Sequence, residues 1–423
     1  MIAQERLAET VRAEGAWVLA TLARTLGSLD LAEDAVQEAA VAALRTWPRD
    51  GVPDDPRAWL AVTARRKAYD MLRREASRPG KESAASRELP GAGVDPAEEV
   101  AEMAEPDSMV RDDMLRLVFT CCHPALSAEA RVALALRTLA RLEVAAIARA
   151  FLVPEATMAK RLVRARQKIA AARIPYRVPS DAELPGRLPA VLAVVHLIGT
   201  EAHAPTGGED VTRVDLEAEA VRLARLLAEL MPGEPEVLSL LSLLLFTAAR
   251  RPARTGEDGE PVLLADQDRS RWDRGKITEA SALLAEAVRR SGGKAGPYQL
   301  QAHLSACHSA APSWADTDWD RIIGLYDLLL SLSANPAVAL NRAVAVGERD
   351  GPVSMLAALD TLPVQPRSHL WHAARADALH RLGRLEDARH ELLDAVDLAP
   401  TGPERRLLAR RLTALLPGPD PSH

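Results

Sequence analysis

Between about residues 30 and 46, Ala32, Ala35, Val36, Ala39, Ala43 and Leu44 recur at helical spacing along one side. The same phasing leaves Glu33, Asp34, Gln37 and Glu38 outward, so this helix has an apolar face and an acidic, polar one. Comparable stripes predict helices at about 5–26 and 56–77, and WPRDGVPDD at 47–55 breaks the pattern between the second and third. In the third, Trp59, Leu60, Val62, Ala64, Ala68, Met71 and Leu72 supply apolar contacts, while Arg65, Arg66, Lys67, Arg73 and Arg74 form a basic strip. Four more helices are expected at 108–120, 127–139, 143–151 and 155–173. Only Leu152, Val153 and Pro154 separate the last two, with Pro154 where a helix start tolerates proline. A short helix, a tight turn and a longer helix are the anatomy of a helix-turn-helix. Met158, Leu162, Ala165 and Ile169 should bury one side of that longer helix, and Thr157, Lys160, Arg161, Arg164 and Lys168 occupy the other. An Arg-rich face is often only solvated; the turn in front of it makes this one suited to a major groove.

From about 186 to 415 the pattern stays helical and begins to repeat. Gly383, Ala388, Leu392, Ala395 and Pro400, with Ala376 and Leu379 before them, match the residue types of a tetratricopeptide unit. Gly275, Ala280, Leu284 and Ala287 repeat that spacing. Weaker echoes fall at Ala220, Ala224, Leu227 and Pro232, and at Gly324, Leu328, Ser331 and Pro336. Small residues at these places let paired helices approach closely, which predicts an array of helical hairpins. The segment 250–273 interrupts the array and is too long and charged to read as core.

At 423 residues the chain is long enough for two or three domains, and aromatic residues make up only 3% of it, which favours helices packed on helices. The expected fold is all-α. Residues 79–107, rich in Pro, Gly, Ser and acid, read as a flexible linker, so the domains are expected at 1–78, 108–178 and 179–423. The overall charge of −6 is unevenly spread: 1–178 hold 27 basic and 25 acidic residues, and the linker alone holds 2 and 8 of these. Without the linker the front part is therefore basic, as a nucleic-acid-binding region requires, whereas 179–423 are acidic, with 26 basic against 34 acidic residues.

The three cysteines form no disulfide framework and no zinc motif, the start lacks a signal-peptide core, and the apolar run from Val237 to Ala249 is too short to span a bilayer. A cytoplasmic protein is expected, with no membrane partner. No P-loop, GxSxG, HExxH or dinucleotide turn is present, so no enzyme, no catalytic residue, no cofactor and no metal site is expected. Cys121, Cys122 and His123 read as buried and structural, and a metal pair at His196 and His203 is a minor alternative. Tyr298, Gln299, Gln301 and His303, and the run with Asp266, Asp268, Arg269 and Arg271, read first as fasteners of helix ends and second as a ligand or partner surface.

DLAEDAVQEAAVAAL, PRAWLAVTARRKAYDMLRRE, CCHPALSAEARVALALRTL and IARAFLVPEATMAKRLVRARQKI resemble the two conserved regions of bacterial extracytoplasmic-function sigma factors. VLLADQDRSRW, GPYQLQAH and VALNRAVAV are similar to blocks of the group with a C-terminal tetratricopeptide-type extension, so the resemblance spans nearly the whole chain. It implies that Asp34, Gln37 and Glu38 touch the clamp helices of core RNA polymerase. It implies also that Arg65, Arg66, Lys67, Arg73 and Arg74 handle the −10 element of promoter DNA, and that Thr157, Lys160, Arg161, Arg164 and Lys168 read the −35 element. Arg66 stands where the family often has Asn, Ala40 lies near a usual Phe, and VVHLIGTEAHAP replaces a segment that usually carries aromatics. The implied function is promoter selection by RNA polymerase, with transcription initiation tuned by a C-terminal domain that takes a protein or small-molecule ligand. The rival readings are a one-component helix-turn-helix regulator that binds DNA alone, and a repeat-type interaction scaffold.

Overall fold

The apolar stripes become helices joined by short turns, and among the described residues the only β-type pairing is one isolated bridge between Thr255 and Pro261. The fold is all-α. This computed structural model describes residues 2–76, 107–139, 142–151, 153–172, 174, 177, 179–180, 182–205, 211–362 and 368–415. The expected linker, apart from Asp107, and Leu152 of the expected turn lie outside the described residues. Contacts divide the chain into two units, Met1–Val194 and Val195–His423.

In the first unit α1 (Ile2–Leu26), α2 (Leu29–Asp50) and α3 (Pro56–Ala76) pack on one another. Gly27, at φ 65°, ends α1, and the Ser28 hydroxyl then accepts from Leu31 N at 3.3 Å to start α2. α2 runs past its expected end at 46, through Trp47 and Pro48. Trp47 is buried and meets Trp59 edge-on with ring centroids 5.5 Å apart, so burying the indole outweighs the amide that Pro48 lacks. The buried stripe therefore steps by fours through Ala39, Ala43 and Trp47, and Leu44, expected in the core, is left exposed. After α3 come α4 (Asp107–Cys121), α5 (Ala128–Thr138), α6 (Val144–Ala150) and α7 (Glu155–Ala171). α6 and α7 are the expected helix-turn-helix, with Met158, Leu162 and Ala165 buried.

The boundary between the units falls inside α8 (Leu184–His203), beyond the expected division at 178. In the second unit α9 (Val214–Leu230), α10 (Pro235–Arg250), α11 (Arg274–Arg290) and α12 (Pro297–Ala310) each pack on the next. So do α13 (Trp319–Leu332), α14 (Pro336–Asp350), α15 (Pro352–Asp360), α16 (His369–Arg381), α17 (Leu385–Leu398) and α18 (Gly402–Ala414). The expected small residues sit where helices meet: Ala220, Ala280, Ala287, Ala376, Ala388 and Ala395 are all fully buried. The echo at Gly324, Leu328 and Ser331 does not hold, since all three are exposed. Leu325 and Leu329, one position along, face Leu300 and Leu304 instead. α10 is enclosed almost all round, and its Ser242 hydroxyl donates to Ala280 O at 2.8 Å. No described helix is long and apolar enough to cross a membrane. The connector 250–273 was expected outside the core, yet Ala253 and Trp272 are buried. Two apolar anchors hold down an otherwise polar segment.

α14 and α15 approach through Gly347, where a Cβ would lie 2.6 Å from Met355 Cβ. Gly347→Ala is expected to cost about 1–3 kcal/mol by overpacking. In thermal denaturation Gly324→Ala, in open space on α13, should instead be neutral or stabilising by up to about 1 kcal/mol.

Candidate nucleic-acid interface and its clasp

α2 divides its polar residues between two environments. Asp34, Gln37 and Glu38 are exposed on one side, as the phasing predicts, with Lys67 of α3 4.0 Å from Glu38. Glu33, expected outward with them, has no exposed surface. Arg137 Nε of α5 donates to its Oε1 at 3.2 Å, and Arg166 Nη2 of α7 lies 2.8 Å from its Oε2. Arg166 also lies 3.8 Å from Asp30. A carboxylate loses its hydration when buried, so two cations at contact distance are what keep this one tolerable. A second buried acid acts likewise: Asp113 of α4 takes Arg24 of α1 and Arg116, each at 2.8 Å. These pairs clasp α1 and α2 to α4, α5 and α7.

The two sets of candidate DNA-binding cations are presented differently. On α3, Arg66, Arg73 and Arg74 are exposed, Lys67 is partly buried, and Arg65 is partly buried with its guanidinium 5.9 Å from the Tyr69 ring. On α7, Thr157, Lys160, Arg164 and Lys168 are exposed, while Arg161 is half-buried and held by Glu129 of α5 at 3.1 Å. Periodicity had marked this face but not Arg166. Arg166 shares the inward stripe with Leu162, Ala165 and Ile169, and a cation in an apolar stripe is the signal that a buried acid faces it.

The remaining candidates are structural. Cys121 and Cys122 are buried in α4 and its end; burial pushes the Cys122 thiol up to about 12 and raises that of Cys121, so neither is a ready nucleophile at neutral pH. His196 packs on Tyr298 with ring centroids 5.2 Å apart, and His203 hydrogen-bonds Arg254, so the two histidines do not form a pair. Glu236 accepts from the amides of Tyr298 and Gln299 at 3.0 and 3.1 Å, capping α12, and its carboxylate fills the space a side chain at Gly296 would need. Arg269 donates to the carbonyls of His308 and Ala311 at 2.7 and 2.5 Å and so caps the other end of the same helix. Both polar motifs of the repeat region thus fasten α12. His372, Glu391 and Asp394 converge closely enough to hold a metal, but Arg375 lies 2.9 Å from Glu391 and makes the group an ion-pair network.

Against known families, Sigma-70 region 2 matches residues 10–78, and Sigma-70, region 4, matches 116–169. The Family of unknown function (DUF6596) matches 187–288. An uncharacterised protein of Rhizobium meliloti (strain 1021) is 41% identical over 403 residues, 95% of this chain and 94% of that one. The chain belongs to the extracytoplasmic-function sigma factors with a helical C-terminal extension. Among solved structures it is similar to yeast Tom70, at 12% identity and a TM-score of 0.37, covering 97% of this chain and 84% of that one. Sigma-70 regions 2 and 4 act with core RNA polymerase and promoter DNA. In this sigma factor the α2 triad and the α3 cations fall within region 2, and the α7 face falls within region 4. Glu33 joins the two regions.

Removing Glu33 takes the buried carboxylate from two arginines, leaving Arg166 only Asp30 at 3.8 Å and Arg137 only Glu143 at 3.7 Å and the Leu142 carbonyl at 3.0 Å. Glu33→Ala should cost the first unit about 3–5 kcal/mol, read as a lower thermal midpoint and faster proteolysis between the regions; unchanged values would show that the clasp carries no load. In the second unit burial, then Arg250 and Arg269, push His308 down to about 4. Its folded value lies below the ordinary 6.5, so the stability it contributes is complete above 6.5 and is lost as pH falls towards 4. Up to about 3 kcal/mol should disappear over that window, and His308→Gln should flatten the slope of thermal midpoint against pH.

Proposed function

We propose that this sigma factor directs core RNA polymerase to specific promoters in the cytoplasm, helps to open them, and is regulated by its own C-terminal helical domain. The observation that carries the reading is the division of α2: Glu33 turns inward to region 4 while Asp34, Gln37 and Glu38 face out. On this reading residues 1–78 dock on polymerase through that triad and track the −10 strand with Arg65, Arg66, Lys67, Arg73 and Arg74. Residues 108–178 present Thr157, Lys160, Arg161, Arg164 and Lys168 to the major groove at the −35 element, with Glu129 orienting Arg161. Residues 179–423 set the activity through a protein or small-molecule ligand.

The reading also gives the clasp a job. The two promoter elements lie about 25 base pairs apart, on the order of 85 Å at about 3.4 Å per step. Regions held together by Glu33 do not reach both, so promoter recognition requires the clasp to open. The chain between the regions is long enough: 29 residues at 79–107 reach up to about 100 Å when extended.

Run-off transcription with core polymerase and upstream fragments of the source genome tests the proposal. Initiation at discrete sites should depend on the protein, Arg164→Ala or Lys160→Ala should lower it about tenfold or more, and Asp34→Ala with Gln37→Ala should weaken core binding. Tight, specific binding to duplex DNA without polymerase, together with no initiation, would replace the sigma reading by a one-component regulator.

A further inference from the structure

The second unit encloses a cavity of about 530 Å³, within the usual size range of small-molecule sites. α8, α10, α13, α14, α16 and α18 wall it together with the connector 250–273. Arg406 and Arg410 of α18 pair with Glu260 and Asp258 of the connector at 2.7 and 3.0 Å, which draws the last helix against that wall.

The charge inside is unbalanced. Arg250, at the end of α10, lines the cavity and is partly buried there. Its Nε is shut from solvent without a hydrogen-bond partner, and among the described residues no carboxylate lies within ion-pair distance of its guanidinium. Burial, then Arg254 and Arg269, press it down to about 10, still far above neutrality, so it stays charged. Arg254, also in the wall, is bonded to the ring of His203 and feels the carboxylates of Glu217 and Glu404, and burial and these arginines hold His203 neutral. The cavity's Glu404 is already engaged, by Thr401 at 3.0 Å and His369 at 3.7 Å, and Arg411 is taken by Asp377 at 3.3 Å. A partly buried cation without a counter-charge is unfavourable unless something supplies one. Much of the remaining wall is apolar, and two of its leucines, Leu263 and Leu370, are exposed.

We propose that this cavity binds a small organic anion, its carboxylate or phosphate head on Arg250 and Arg254 and its apolar body against Leu263, Leu370 and Leu407. The site stands on its own geometry; its role as the signal input rests on the sigma-factor reading. The arginine fork suits either oxyanion head, and the leucines exclude a bare inorganic ion as the best fit.

The test titrates the full-length protein, without polymerase or DNA, with octyl phosphate, octanoate and uncharged octanol, followed by calorimetry. At least one anion should bind about tenfold or more tightly than octanol, and the stronger of the two identifies the head group. Arg250→Met should abolish that margin while leaving the ligand-free thermal midpoint equal or higher, because it removes a partly buried charge that has no ion-pair partner. Arg254→Gln provides a second variant and should lower anion affinity without changing that of octanol. Equal binding of all three, no binding of any, or unchanged anion affinity in both variants would overturn the site. A ligand-free midpoint lowered by several degrees in Arg250→Met would overturn it too, by showing a structural cation. Adding the bound anion to run-off transcription separates the two claims. Binding without any initiation removes the sigma reading and leaves the site; initiation unaffected by a bound anion removes the signalling role alone.

Discussion

A carboxylate with no exposed surface is an unstable object in a protein interior, and the first unit is arranged around the one at Glu33. Its charge draws Arg137 from α5 and Arg166 from α7, and the apolar residues beside those arginines follow. Leu162 and Ala165 are buried on the face of α7 that carries Arg166, which leaves Lys160, Arg164 and Lys168 no other direction than outward. The orientation of the candidate DNA-reading face is thus a consequence of where one acid is buried. Arginine suits this place better than lysine, because its planar fork meets a carboxylate at two points and holds its charge when desolvated.

The second unit shows the converse. Its helices meet through alanines and through α10, which is buried almost all round, and its polar motifs are spent on helix ends: Glu236 on one end of α12 and Arg269 on the other. What this leaves over is positive. Burial, with Arg250, Arg254 and Arg269 adding to it, keeps His203 and His308 neutral, although the unit as a whole is acidic. Net charge over a region and charge inside it are different quantities, and only the latter bears on what a cavity can hold.

Most of the helices, the helix-turn-helix and three of the four repeat echoes were legible because each rests on local periodicity. Asp34, Gln37 and Glu38 were legible for the same reason, since exposure follows from phase. Glu33 was not. It sits at the border of the apolar face, and only a partner more than a hundred positions away decides on which side it falls. Trp47, read as the start of a break, took the buried place expected for Leu44 because the indole of Trp59 made its burial more favourable. The connector 250–273 misled for a related reason: two anchors, Ala253 and Trp272, carry no periodic signal, and Arg250 reads as an ordinary basic helix end until the walls around it are seen.

α2 carries both the acid that closes the two sigma regions and the residues proposed to meet polymerase, and this makes the two events thermodynamically linked. If the clasp favours the closed form by about 3 kcal/mol, fewer than about one molecule in a hundred is open, and the apparent affinity for polymerase falls by that same factor. Linkage runs both ways: polymerase binding to the open form weakens the hold of region 4 on Glu33 by an equal amount. On the proposed reading, the combined strength of a few buried ion pairs would then set how much free sigma factor a cell must hold before any of it competes for the transcription machinery.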